Sequence, residues 1–366
     1  MSILTSALQF CVQLIIILAA CRAAGSLILR IGQPRVIGEM LAGIVLGPSL
    51  LGLFAPSIQA LLFPPASLPL LAAASQIGLL LYMFVVGVHL QTAFIRQSLH
   101  GAALISAAGV LTPFVFGSML AWFLYADGRF FMANVSIWQS MAFLGAAMSV
   151  TAFPVLARII HERGIGGTAL GTLALTAGAV NDLIAWILLG LLLASVERQF
   201  DAVGFIGSHA IFLAFAIGAF VPRGHAAVRL SRKVEPAATA VLVPVFFAFS
   251  GLSTHLALLW STELLGVALV VILTASLGKA AGCWGAARLA GRPNREALAL
   301  GALMNARGLM ELVILNIGLQ RGLITPTLFT VMVLMTIVTT MAAGPLFAWA
   351  WRGSAEVPDG VSVPVR

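Results

Sequence analysis

The chain has 366 residues, of which 61% are hydrophobic and only 9% are charged, with a mean hydropathy of +1.07. That balance excludes an ordinary water-soluble globule and places the chain among proteins that cross a bilayer many times. The formal charge of +8 does not point to nucleic acid, because the basic residues are scattered through short connections and form no tract or patch.

A helix needs about 20 mostly apolar residues to cross a bilayer. By that measure the sequence holds eleven candidate spans, at 4–29, 37–54, 68–90, 101–125, 138–160, 167–195, 204–222, 237–257, 264–287, 296–320 and 325–351. The first span lacks a basic start and is too long for the apolar part of a signal peptide. Cys11, Cys21 and Cys283 fall inside spans and read as packing residues, with no disulfide framework and no metal-ligand spacing. Small residues cluster, as in GAALISAAG and GAARLAG, and let helices approach closely in lipid. With the N-terminus outside, the cytoplasmic connections hold Arg30, Arg35, Arg96, Arg158, Arg163 and the basic groups at 223–233 and 288–295. The opposite side holds only Arg129, Arg198 and Arg321, the asymmetry that positive-inside orientation requires. The expected organisation is one transmembrane domain over 1–353, followed by a short cytoplasmic tail at 354–366.

Few charges remain inside the spans. Arg22 in span 1 and Glu39 in span 2 lie near the cytoplasmic ends, where their heads can snorkel, and read as interfacial or structural residues. Asp182 differs. It lies in TAGAVNDLIAW, some 15 residues into span 6, or about 22 Å along a helix axis. A carboxylate at that depth costs a few kcal/mol and marks an ion or proton site. Asn181 points about 100° away from it and is placed to hold a break in a neighbouring helix. Lys279, in LGKAAG, is the one Lys at membrane depth, and Asp182 is its expected counter-charge. Arg307 and Glu311 are spaced i,i+4 in span 10, which puts them on one helix face as an internal ion pair.

Two spans look interrupted. Span 5 reads AAMSVTAFPVLARII, where Pro154 removes a backbone donor and Ser149 and Thr151 supply hydroxyls. Span 10 reads ALMNARGLMELV, with Asn305 and Gly308 near its middle. Irregular backbone at this depth survives only where it is buried or lines a cavity. Broken helices at matching positions in two halves point to a transporter's midplane site. Spans 4–6 and 9–11 are then equivalent triplets. Their offset of five is odd, so they run in opposite senses, as an inverted repeat.

The segments GEMLAGIVLGPSLLG, LLLYMFVVGVHL, SVTAFPVLARII, AVNDLIAW, VPVFFAFSGLSTHL and LMNARGLMELVILNIGL, taken in order, resemble the monovalent cation:proton antiporter-2 family. The resemblance implies an all-α polytopic membrane protein of the cation/proton antiporter fold, with two crossed, broken helices. It implies a core at about 101–195 and 264–351, a scaffold that forms a homodimer, and an elevator movement of the core. On that resemblance Asp182 is the ion-binding carboxylate, with Asn181 and Thr151 beside it, and Lys279, Arg307 and Glu311 are core charge partners. Asn before the Asp, in place of a second Asp, implies electroneutral exchange. One departure stands out: Glu197 to Val203 leads almost directly to IGSHAIFLAFAIGAFVP, as though two family helices after the Asn-Asp helix were absent. No nucleotide-binding domain is expected after the spans.

The expected function is exchange of H⁺ for Na⁺ or K⁺ across a bacterial inner membrane, with no cofactor, no resident metal and no nucleic-acid partner. Two other readings stay open: a non-transporting membrane homologue with a regulatory role, and a sodium-coupled organic-anion symporter. A membrane enzyme has little support, because His89, His100, His161, His209, His225 and His255 are dispersed near span ends and form no catalytic or metal grouping.

Overall fold

A computed structural model describes residues 3–89, 99–166, 168–196, 210, 213–218 and 233–352. Fourteen α-helices are named among them: α1 (Ile3–Arg30), α2 (Arg35–Leu46), α3 (Leu51–Phe54), α4 (Pro56–Leu62), α5 (Leu68–His89), α6 (Leu99–Tyr125), α7 (Ile137–Ser149), α8 (Phe153–Glu162), α9 (Ala169–Val196), α10 (Val243–Leu252), α11 (Thr262–Leu289), α12 (Asn294–Met304), α13 (Leu309–Gln320) and α14 (Pro326–Trp351). A π-helical turn, Ala238–Leu242, leads into α10. The one extended pairing among the described residues is a bridge between Phe131 and Ile324.

The helix starts follow from sequence. Ser136 and Gln139 form a reciprocal capping box at the head of α7, with Ser136 N–H donating to Gln139 Oε1 at 2.9 Å. Ser261 caps α11 by accepting from Leu264 N–H at 3.2 Å. Thr325 caps α14, whose first residue is Pro326, a position where the missing donor costs nothing. Along α11, Leu265, Leu269, Leu273 and Leu277 recur every four residues and are all about half exposed or more. In water such a stripe would be a liability; here it is the lipid-facing surface of the helix.

Among the described residues, seven helical segments are long and apolar enough to cross a membrane, and α12 with α13, bent by 41° at their junction, supplies an eighth. The sequence count of eleven is therefore not reproduced by length and apolarity. One reason is that span 5 is divided into α7 and α8, each too short to cross alone. Span 204–222 and the tail at 354–366 lie largely or wholly outside the described residues.

The helices sort into two bundles. In one, α2 and α10 cross tightly, with α1 and α5 against them. A Cβ on Gly43 would overlap the Ala248 carbonyl oxygen, and one on Gly251 would come within 2.6 Å of Ile44 N and Met40 O. Only glycine permits that approach. In the other bundle α6 packs on α7, α9 and α11, and α12 packs on α11 and α14. Side-chain bonds join the two groups, among them Asn316 Nδ2 to Ser250 Oγ at 2.8 Å and Gln33 Nε2 to the Met341 carbonyl at 3.1 Å.

Candidate functional site: the crossing of two broken helices

In the second bundle two helices lose their regular hydrogen bonding at mid-course. The first unwinds between Ser149 and Phe153, where Val150 and Ala152 are extended, and Pro154 is the second residue of the restarted helix. The second unwinds between Met304 and Leu309. The interruptions cross, and Ala152 N–H donates to the Ala306 carbonyl at 3.0 Å. Gly308 allows the close approach: a Cβ there would stand 3.1 Å from Val155 Cγ2 and 3.6 Å from Ala152 Cβ. The breaks leave helix ends, with their unpaired amides and carbonyls, in the middle of the protein.

The ionisable side chains meet those ends with matched sign. Asp182, on α9 and 2% exposed, accepts from the backbone N–H of Phe153, the first residue of α8. A carboxylate at a helix N-terminus faces the positive end of the dipole. Its Oδ1 is buried without a hydrogen-bond partner. Lys279, on α11 and fully buried, donates to the Ser149 carbonyl at the C-terminus of α7. Arg307 reaches the same end, donating to Met148 O at 2.8 Å and Ala147 O at 3.4 Å, and it pairs with Glu311 Oε1 at 3.3 Å. Two cations thus cover the carbonyl end of α7, the negative end of its dipole.

Neutral polar groups complete the crossing. Asn181 Nδ2 donates to Thr151 Oγ1 at 3.1 Å, Ser106 Oγ donates to Asn181 Oδ1 at 2.5 Å, and Thr151 Oγ1 donates to Met304 O at 3.4 Å. Asn181 therefore spans from α6 to the first break while its neighbour Asp182 meets the N-terminus of α8. Ser149 Oγ donates back to Gly145 O at 2.7 Å and to Val110 O at 2.9 Å. Thr340 on α14 clasps Arg307, accepting from its N–H at 3.0 Å and donating to its carbonyl at 2.9 Å. Buried polar atoms without a partner concentrate here. Of the five such side-chain atoms among the described residues, four are Asp182 Oδ1, Asn305 Oδ1, Arg307 Nε and Glu311 Oε2. Three of those are acceptors. Orphaned buried acceptors are costly, and their concentration marks the crossing as the candidate site.

Three sequence expectations change. Lys279 does not pair directly with Asp182; its ammonium takes a backbone carbonyl that the break in the first helix has freed. Arg307 is not on a helix face with Glu311. It lies in the unwound stretch, and the pair closes across the start of α13. For Glu39 the expectation of an interfacial or structural residue narrows: at 9% exposed it is enclosed, whereas Arg22 is exposed. Ser106 and Thr340 were missed. Both are single hydroxyls in apolar runs, and their partners are visible only in three dimensions. Among the described residues no group of His, Cys, Asp and Glu could hold a metal ion, and Cys11, Cys21 and Cys283 are free thiols.

Crossed, interrupted helices in matching triplets, with buried ionisable side chains at the crossing, define a polytopic helical membrane protein of the inverted-repeat transporter architecture. A family model described as the transmembrane part of sodium/hydrogen exchangers matches residues 14–208 and 202–353. The two pieces overlap at residues 202–208. The chain is 38% identical to Na⁺/H⁺ antiporter NhaS4 of Synechocystis sp., covering 91% of this chain and 95% of that protein. It is 31% identical to K⁺/H⁺ antiporter 1 of Saccharomyces cerevisiae, covering 96% of this chain but 47% of that longer protein. The fold is similar to that of the sodium proton antiporter MjNhaP1 of Methanocaldococcus jannaschii, with a TM-score of 0.61 at 16% identity over 93% of this chain and 97% of that one. The chain belongs to the sodium/hydrogen exchanger family of monovalent cation:proton antiporters.

Proposed function

We propose that the protein exchanges protons for a monovalent cation, Na⁺ or K⁺, across the membrane, with Asp182 binding either one. The observation that carries this reading is the state of Asp182: a buried carboxylate, anchored through one hydrogen bond to the start of α8, with Oδ1 left unpartnered at the helix crossing. A proton or a desolvated cation satisfies that oxygen equally well, and the two compete for it. Lys279 and Arg307 are committed to the carbonyls of α7, so neither blocks the carboxylate. Asn305 Oδ1 and main-chain carbonyls of the breaks offer further oxygen ligands, the donor type that Na⁺ and K⁺ prefer.

Transport then follows from alternating access. The core, residues 101–195 and 264–351, moves against the remaining helices as scaffold, and Asp182 faces each side in turn. The antiporter names of NhaS4 and of the yeast relative agree with this activity. The protein is an integral membrane protein, and we place it in a bacterial inner membrane as a homodimer, N-terminus outside and the 354–366 tail in the cytoplasm. The test is proton–cation exchange in proteoliposomes, read as collapse of a preformed pH gradient on adding Na⁺ or K⁺. Wild type collapses the gradient; folded Asp182→Asn does not. Coupled exchange retained by the variant would overturn the assignment of Asp182.

A further inference from the structure

We propose that Glu39 sets the charge selectivity of the path by which cations reach Asp182. Sequence position suggested an interfacial or structural residue, and the structure encloses it. Glu39 lines a cavity of about 360 Å³ bounded by α2, α5, α8, the 239–247 segment and the start of α13. A space of that size holds roughly ten waters, so an ion inside it keeps most of its hydration shell. The inner wall includes Val155 and Leu309. These are the residues beside the crossing: Leu309 opens α13, and Val155 contacts Gly308 and lies two residues beyond Phe153, the donor to Asp182. Tyr82, on the same wall, is within electrostatic range of both Asp182 and Glu39. The cavity wall is thus built in part from immediate neighbours of the crossing that holds Asp182.

The charge on its walls is the difficulty. Arg35 on α2 and Arg158 on α8 both line the cavity, and a smaller adjoining cavity of about 110 Å³, which shares Arg35 and Glu39, adds Arg22 on α1. The other titratable groups around Glu39 are Tyr82 on α5 and Cys21 on α1, with Glu235 farther along the 233–237 helical stretch near Tyr82. Among the described residues lining the two cavities Glu39 is the one carboxylate, with Arg22 and Arg35 beside it. Guanidinium groups stay charged at any working pH. Without Glu39 the positive charge of Arg35 and Arg22 would face an incoming cation; with it, that charge is offset and the wall presents an acceptor to a hydrated cation. The inference rests on the antiport reading for its purpose, yet the selectivity of the cavity is measurable without transport.

In a background with its own thiols replaced, Val155→Cys is exposed to a cationic and to an anionic methanethiosulfonate reagent, and the ratio of the two rates is taken. Glu39→Gln should lower the cationic-to-anionic ratio about tenfold, the effect of one charge at close range in a partly screened site. Adding Arg35→Gln should restore the ratio to within about threefold of the parent. In exchange assays Glu39→Gln should raise KM for the cation with Vmax within about twofold, since a lost charge on the approach weakens ion capture and leaves the site intact. An unchanged ratio in Glu39→Gln, or a thiol in the Val155→Cys variant inert to both reagents, overturns the proposal. So does a fall in Vmax with KM unchanged, which is the mark of a structural role. Should Glu39→Gln not fold, Arg35→Gln alone must raise the ratio, and failure to do so overturns the proposal equally. Loss of exchange in wild type with the reagent ratios behaving as expected would refute the antiport reading and leave the cavity's selectivity standing.

Discussion

Arg307 offers the sharpest test of how the crossing is held together. Its side chain is fully buried and donates to Glu311 Oε1, Met148 O and Ala147 O at 3.3, 2.8 and 3.4 Å. Arg307→Met keeps bulk and removes every donor. It leaves Glu311 as an unpaired buried carboxylate, and removing one partner of a buried pair costs about 3–5 kcal/mol. Two α7 carbonyls also lose a charged donor, each worth about 1 kcal/mol or more. These terms share one network and do not add fully, so the expected loss is about 4 kcal/mol, or roughly three decades in the folded-to-unfolded ratio. The double variant Arg307→Met, Glu311→Met replaces the pair by apolar side chains and should return to within about 2 kcal/mol of wild type. Equilibrium unfolding in mild detergent, followed by the fluorescence of the seven tryptophans, measures both. A single variant within about 1 kcal/mol of wild type, or a double variant as unstable as the single, refutes the reasoning.

Three further outcomes are expected. Asn181→Ala strips Ser106 and Thr151 of a shared partner and should lower stability by about 1–3 kcal/mol, seen as a drop in thermal midpoint. Gly43→Leu drives a side chain into the Ala248 backbone at the α2–α10 crossing and should abolish the monodisperse peak in size-exclusion chromatography, whereas Gly285→Leu, at a glycine with open space around it, should not. Asp127, outside the spans, is held below the usual carboxylate range chiefly by its hydrogen bond from Arg129. Because the folded-state pKa is depressed, that contribution is complete above about pH 4 and is lost as pH falls through the folded-state value. The stability gap between wild type and Asp127→Asn should therefore close on acidification; a gap that persists below that range contradicts the assignment.

The sequence made the crossing legible because lipid makes charge expensive. Asp182, Lys279, Arg307 and Glu311 stand out in apolar runs, and Pro154 and Gly308 mark the interruptions beside them. What it hid was how the charges are satisfied. A census of charged side chains offered Lys279 only Asp182 as a partner, whereas its acceptor is a main-chain carbonyl that exists as a free group only because α7 stops at Ser149. The i,i+4 spacing of Arg307 and Glu311 suggested a shared helical face, and although Asn305 and Gly308 marked the span as interrupted, spacing alone did not show that Arg307 itself falls inside the unwound stretch. Sequence position leaves Glu39 between two readings for a related reason. Depth along one span says nothing about the neighbours that roof it, here α5, α8 and the stretch before α10. The expected division into core and scaffold came from the family resemblance, and tight contacts such as Gly43 on Ala248 depend on geometry that composition alone does not reveal.

The two interruptions are tied by main chain as well as by side chains, through the Ala152 amide and the Ala306 carbonyl. No ordinary substitution deletes that link; only proline at 152 lacks the hydrogen it needs. The path of the main chain at the crossing is thus held whichever side chains stand at 152 and 306, whereas the buried charged network around it, Arg307 above all, depends on the identity of each residue.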